Sequence, residues 1–143
     1  MLAVTSYPRA HIETGRARLA DQVARFRTLA AASQAAGVDP DALEAVEGDY
    51  ATTLVVALHA WFLNRMRGLE GKDGNPANEV RVLAASIVDH GAVFTSETPI
   101  RIDAATTVLG LEPGDPVRIS LDELERLGTA YFDEIEARYG EPR

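Results

Sequence analysis

The chemically capable side chains of this chain concentrate in one stretch, Trp61-Phe-Leu-Asn-Arg-Met-Arg-Gly-Leu-Glu-Gly-Lys-Asp-Gly-Asn-Pro-Ala-Asn-Glu-Val-Arg81. Arg65, Arg67, Lys72 and Arg81 supply cations. Gly68, Gly71, Gly74 and Pro76 permit positive φ angles and close backbone approaches. Asn75-Pro76 reads as a helix cap followed by a first helical residue, and the N–H groups of a helix start favour an anion. Together these predict a phosphate or carboxylate ligand near residues 74–78. The candidate binding residues are Trp61, Asn64, Arg65, Lys72, Asp73, Asn75, Asn78, Glu79 and Arg81. A plainer reading makes the stretch a helix connection whose arginines pair with Glu70, Asp73 and Glu79.

Other chemistries find less support. Gly68-Leu-Glu-Gly71-Lys72-Asp73 fails as a phosphate loop, because Met66 stands where the first glycine belongs and Asp73 follows the lysine. The histidines His11, His59 and His90 show no i, i+4 pairing and no Glu-x-x-His, so no metal or cofactor is expected. The absence of cysteine removes disulfides, thiolate metal sites and a thiol nucleophile. No Gly-x-Ser-x-Gly elbow occurs. The leading expectation is a non-catalytic binding or interaction protein. The alternatives are an enzyme whose dispersed site joins Trp61, Asn64, Arg65, Asp73 and Glu79 between the second and third helices, and a nucleic-acid-binding regulator.

Asn64-Arg-Met-Arg67, Lys72-Asp-Gly-Asn-Pro76 and Asn78-Glu-Val-Arg81 resemble the signature of small bacterial proteins of unknown function, a resemblance that brings no activity with it. Pro99-Ile-Arg-Ile-Asp103, then Leu109-Gly-Leu-Glu-Pro-Gly-Asp115 and Val117, resemble the swapped-hairpin DNA-binding modules of the AbrB type. That resemblance implies a hairpin on DNA. Only Arg101 and Arg118 stand there against Asp103, Glu112 and Asp115, so nucleic acid is not the expected partner.

The elements that must position these groups are mainly helices. Ser6 and Pro8 open a helix over 8–36 whose stripe is Ile12, Leu19, Val23, Phe26 and Ala30, stopped by Gly37. Asp39-Pro40 opens a second helix over 40–67. That helix weakens at Gly48, is apolar on nearly every face from Tyr50 to Leu63 and is therefore expected to be surrounded, and ends at Gly68. A third helix spans 76–90. Ser120 with Glu123 forms a capping box for a last helix over 121–139. Between them, residues 92–119 read as short strands. The turn Glu112-Pro113-Gly114-Asp115 is flanked by Val108 to Leu111 and Val117 to Ile119. The expected fold is mainly α (α+β): a four-helix core with a small antiparallel β hairpin or three-stranded sheet before the last helix, in a single domain over 1–143.

At 143 residues one core suffices. The net charge of −8 argues against non-specific binding to nucleic acid or membrane, although residues 1–37 carry five arginines against Glu13 and Asp21. Thirteen arginines and one lysine match the bias of a GC-rich bacterial genome. The start lacks signal-peptide layout, and no apolar run spans a bilayer. A cytoplasmic protein, self-associating as a homo-oligomer, is expected.

Overall fold

The computed structural model describes residues 2–96 and 99–142. Within them the chain forms five helices: α1 (Arg9–Ala35), α2 (Pro40–Trp61), α3 (Arg67–Glu70), α4 (Pro76–Asp89) and α5 (Leu121–Tyr139). Three of the starts follow from local chemistry. Asp39 accepts from the Asp41 N–H, with Pro40 at the first position of α2. Asn75 does the same for α4 through Ala77 and Asn78. Ser120 and Glu123 satisfy each other's backbone N–H groups at α5. Ser6 does not cap α1. Pro8 occupies the cap position, and no side chain bonds there.

α5 is the centre of the core. Leu121, Leu124, Leu127, Tyr131, Phe132, Ile135 and Tyr139 are buried along its length. Each such side chain contributes roughly 1.5–3 kcal/mol on burial, which outweighs differences in helix propensity. α1 lies against α5, with Leu19 over Gly128, and buries Ile12, Val23 and Phe26, the last stacked on Tyr50 of α2. Gly128 gives this contact its closeness, because a Cβ there would force the Leu19 side chain to shift. α2 packs on α4 and α5 through Ala51, Leu54, Val55 and Leu58. Phe62, fully buried, sits edge-on to Tyr7, Tyr131 and Phe132. The N-terminal strap ties the chain just after α2 to the end of α5. Val4 bridges Arg65, and Tyr7 bridges Gly140.

The expected hairpin or sheet does not form, so the α+β expectation is corrected to an all-helical fold: no strand or sheet occurs among the described residues. Two positions of the expected β unit, Glu97 and Thr98, lie outside those residues. The turn at 112–115 is present, with Asp115 N–H donating to Glu112 O at 3.0 Å and Gly114 at φ +96°. The flanks find other partners. Val108 and Leu109 give their N–H groups to the Glu79 carboxylate, and Ile119 N–H points at the Thr52 hydroxyl. Val93 pairs with Pro116 in an isolated bridge. A ladder cannot propagate when its donors are already taken by helix side chains. The hairpin implied by the AbrB resemblance is therefore missing.

α2 also differs from expectation. It ends at Trp61 rather than near residue 67, and Gly68 lies inside the short α3. α2 runs unbroken through Gly48. The Arg118 guanidinium lies over that glycine, where a Cβ would approach it to 2.8 Å. Nor is α2 surrounded, because one of its faces is open to solvent. No helix of the described residues is long and apolar enough to cross a membrane.

Candidate functional site

Segment 62–81 leaves α2, makes the single turn α3, and returns as α4. The side chain that organises it is Glu70, buried at the end of α3. Arg65 Nε donates to Glu70 Oε2 at 2.8 Å. Arg81 grips the same carboxylate in a fork, Nε to Oε1 at 2.9 Å and Nη2 to Oε2 at 2.6 Å. Asn78 Nδ2 adds a bond to Oε1 at 3.0 Å. Burial by itself would raise the Glu70 pKa. The hydrogen bonds and charges of Arg81 and Arg65 outweigh it and hold the carboxyl below its ordinary range. Arg65 spends its remaining donors on the carbonyls of Phe62 at 3.0 Å and Ala77 at 3.2 Å. Its guanidinium stands 5.7 Å from the Tyr131 ring centre. Two guanidiniums on one carboxylate leave a positive excess.

His59 faces this cluster, its Nδ1 3.4 Å from Arg65 Nη1. Burial, then the charges of Arg65 and Arg81, lower its pKa to about 4, with Glu70 opposing. The ring is neutral at pH 7 and can accept from Arg65.

The start of α4 is closed rather than open. Asn75 Oδ1 accepts the Ala77 and Asn78 N–H groups at 3.0 and 3.1 Å, and its Nδ2 donates to Glu70 O at 2.7 Å. Asn78 Oδ1 accepts from Gly74 N–H at 3.1 Å. Asp73 stands at the rim, its carboxyl lowered chiefly by the hydrogen bond from Asn75. Gly74, at φ +83°, presses against the Arg101 carbonyl so closely that no Cβ would fit. The donors expected to meet an anion near 74–78 are thus occupied by the chain itself.

Glu79 points the other way. It is buried and accepts from Val108 N–H at 2.8 Å and Leu109 N–H at 2.9 Å. Burial raises its pKa, and the two backbone donors only partly offset this. Trp61 lies apart, stacked 5.1 Å from the His11 ring under α1. Gly15 leaves room for it, since a Cβ there would meet Trp61 Nε1 at 2.8 Å. Asn64 is exposed and contributes its carbonyl to the Val4 N–H.

Of the nine sequence-predicted residues, Arg65, Asn75, Asn78 and Arg81 therefore converge on Glu70. Glu79, Trp61 and Asn64 face elsewhere, and Asp73 and Lys72 stand on the surface. The Trp61, Asn64, Arg65, Asp73 and Glu79 side chains do not line one pocket. Glu70 and His59 were not among the predicted residues. The signal available for Glu70 was the plainer reading of the stretch, in which its arginines pair with Glu70, Asp73 and Glu79, and for Glu70 that pairing is what forms.

What remains exposed is a cavity of about 440 Å³ lined by Arg67, Gly68, Glu70, Gly71, Lys72, Asn78, Pro99 and Ile100. Arg67 and Lys72 are exposed and have no ion-pair partner among the described residues. No group of three or more histidine, cysteine, aspartate or glutamate side chains suited to a metal ion occurs among the described residues. Comparison with protein families, with curated proteins and with solved structures finds no match for this chain.

Proposed function

We propose that the protein is a non-catalytic binding domain for a small phosphorylated or carboxylated ligand, held between Arg67 and Lys72 over the 440 Å³ cavity. One observation carries this reading. Glu70 is already neutralised twice over, by Arg65 and Arg81. Arg67 and Lys72 line the same cavity without an acid of their own among the described residues. In a chain of net charge −8, a rigid seat with surplus positive charge favours an anion. The same reading takes a second copy of the chain as its protein partner.

Thermal unfolding in inorganic phosphate and in citrate tests the ligand. At a hundred-fold excess over Kd, binding stabilises by about 2.7 kcal/mol, a rise of roughly 5–10 °C in Tm for a chain of this size. Lys72→Ala and Arg67→Ala should melt as the parent does in anion-free buffer and lose this rise. A parent protein that neither anion stabilises contradicts the reading, as does a full rise in Lys72→Ala.

A further inference from the structure

The open face of α2 has a symmetry that nothing in the isolated chain explains. The helix is 22 residues long, or about 33 Å. Its solvent side carries Ala42, Ala45, Val46 and Asp49 in the first half and Thr53, Val56, Ala57 and Ala60 in the second. All are exposed except Val56, which is half-buried. Val46 is 57% exposed, and Val88, beside this face on α4, is 65% exposed. The order is the same from either end except at the central pair. Ala42 mirrors Ala60, Ala45 mirrors Ala57, Val46 mirrors Val56, and Asp49 mirrors Thr53.

We propose that two copies of this chain pair through this face, with the α2 helices antiparallel across a two-fold axis near Ala51. In an isologous contact residue i meets residue j and j meets i, so on this face alanine meets alanine and valine meets valine. The alanines let the axes approach to the short end of the usual 8–10 Å, and the valines fill the space between them. Asp49 is then set opposite the hydroxyl of the partner's Thr53, which can donate to it.

The charges fit the same direction. Asp39, Asp41 and Glu44 lie exposed at the start of α2, with no ion-pair partner among the described residues. The far end is flanked by Arg18 on the α1 side, beside Ala57 and Ala60, while on the α4 side Arg67 and Asp89 stand together beside Val56, so that Arg18 supplies the positive charge there. Antiparallel pairing brings the acidic end of one copy to the basic end of the other. Parallel pairing sets acid against acid and base against base, so it is disfavoured. α1 beyond Phe26 and α2 before Gly48 hold no fully buried residue, Ala30 and Leu43 being half-buried, which leaves that end of the helix pair available to the partner.

This inference rests on the self-association in the proposed function and not on the anion. Its test is run in phosphate-free buffer. Light scattering on the full chain should give twice the 15.4 kDa of one copy. Ala57→Arg, at an exposed position, should give a monomer of unchanged helical content whose melting no longer depends on protein concentration, and Lys72→Ala should remain a dimer. The chain has no cysteine, so introduced ones report uniquely. Ala42→Cys mixed with Ala60→Cys should cross-link under mild oxidation, whereas neither variant should cross-link with itself. A monomeric parent overturns the proposal. So does self-cross-linking of Ala42→Cys, or a dimer that Ala57→Arg leaves intact.

Discussion

Glu70 decides the local structure because it is the one acid that two buried or half-buried guanidiniums share. Removing it strands Arg65, whose side chain has no exposed surface, and leaves Arg81 at 13%. Glu70→Ala should therefore destabilise the protein by about 3–5 kcal/mol in chemical unfolding, the usual cost of an orphaned buried partner. A loss below about 1 kcal/mol would show the network to be slack. His59 gives a pH signature of its own. Its pKa is about 4 in the folded chain against 6.5 for the free ring, so the unfolded chain binds a proton first as pH falls. Stability from this group is full above pH 6.5 and declines as pH falls towards 4. With allowance for a ring that still meets solvent, the loss is about 2 kcal/mol. His59→Gln should flatten that part of the stability–pH curve. Arginine pairing with Glu70 was legible as the plainer reading of the stretch, but its burial and the part of His59 were not. Arg65, Glu70 and Arg81 follow no helical spacing, and they meet only because the chain breaks at Trp61, makes one turn and re-enters as α4.

At the scale of elements, local rules and tertiary demands part company. α4 and α5 were legible nearly to the residue, since Asn75-Pro76 and Ser120 with Glu123 set their starts by chemistry within one turn. The strands were not. Val108, Leu109 and Val117 have strand-like side chains, but Glu79 and Ala92 take their N–H groups. A carboxylate on a distant helix cannot be read from β propensity. Glu79 thus fastens residues 108–109 to α4. Glu79→Gln keeps the shape but can accept on only one atom, so one of the two N–H groups loses its acceptor. Hydrogen exchange at Val108 and Leu109 should rise at least tenfold while α5 exchanges as before. Unchanged exchange at both amides would remove Glu79 from that role.

For the whole molecule, the run from Tyr50 to Leu63 was legible as apolar, and the inference that other helices surround it was the error. One flank of α2 faces solvent because the four main helices leave it uncovered, and the chain has no further helix to place there among the described residues. Composition predicted an acidic chain, and the folded chain sets its Arg67–Lys72 cavity against that background. If this surplus charge holds an anion, titration with inorganic phosphate followed by backbone amide resonances should give saturable shifts centred on Arg67 to Lys72, abolished in Lys72→Ala, with the amides of Ala77 and Asn78 unmoved because Asn75 already occupies them. Shifts centred on Ala77 and Asn78, or none at all, would contradict anion binding there.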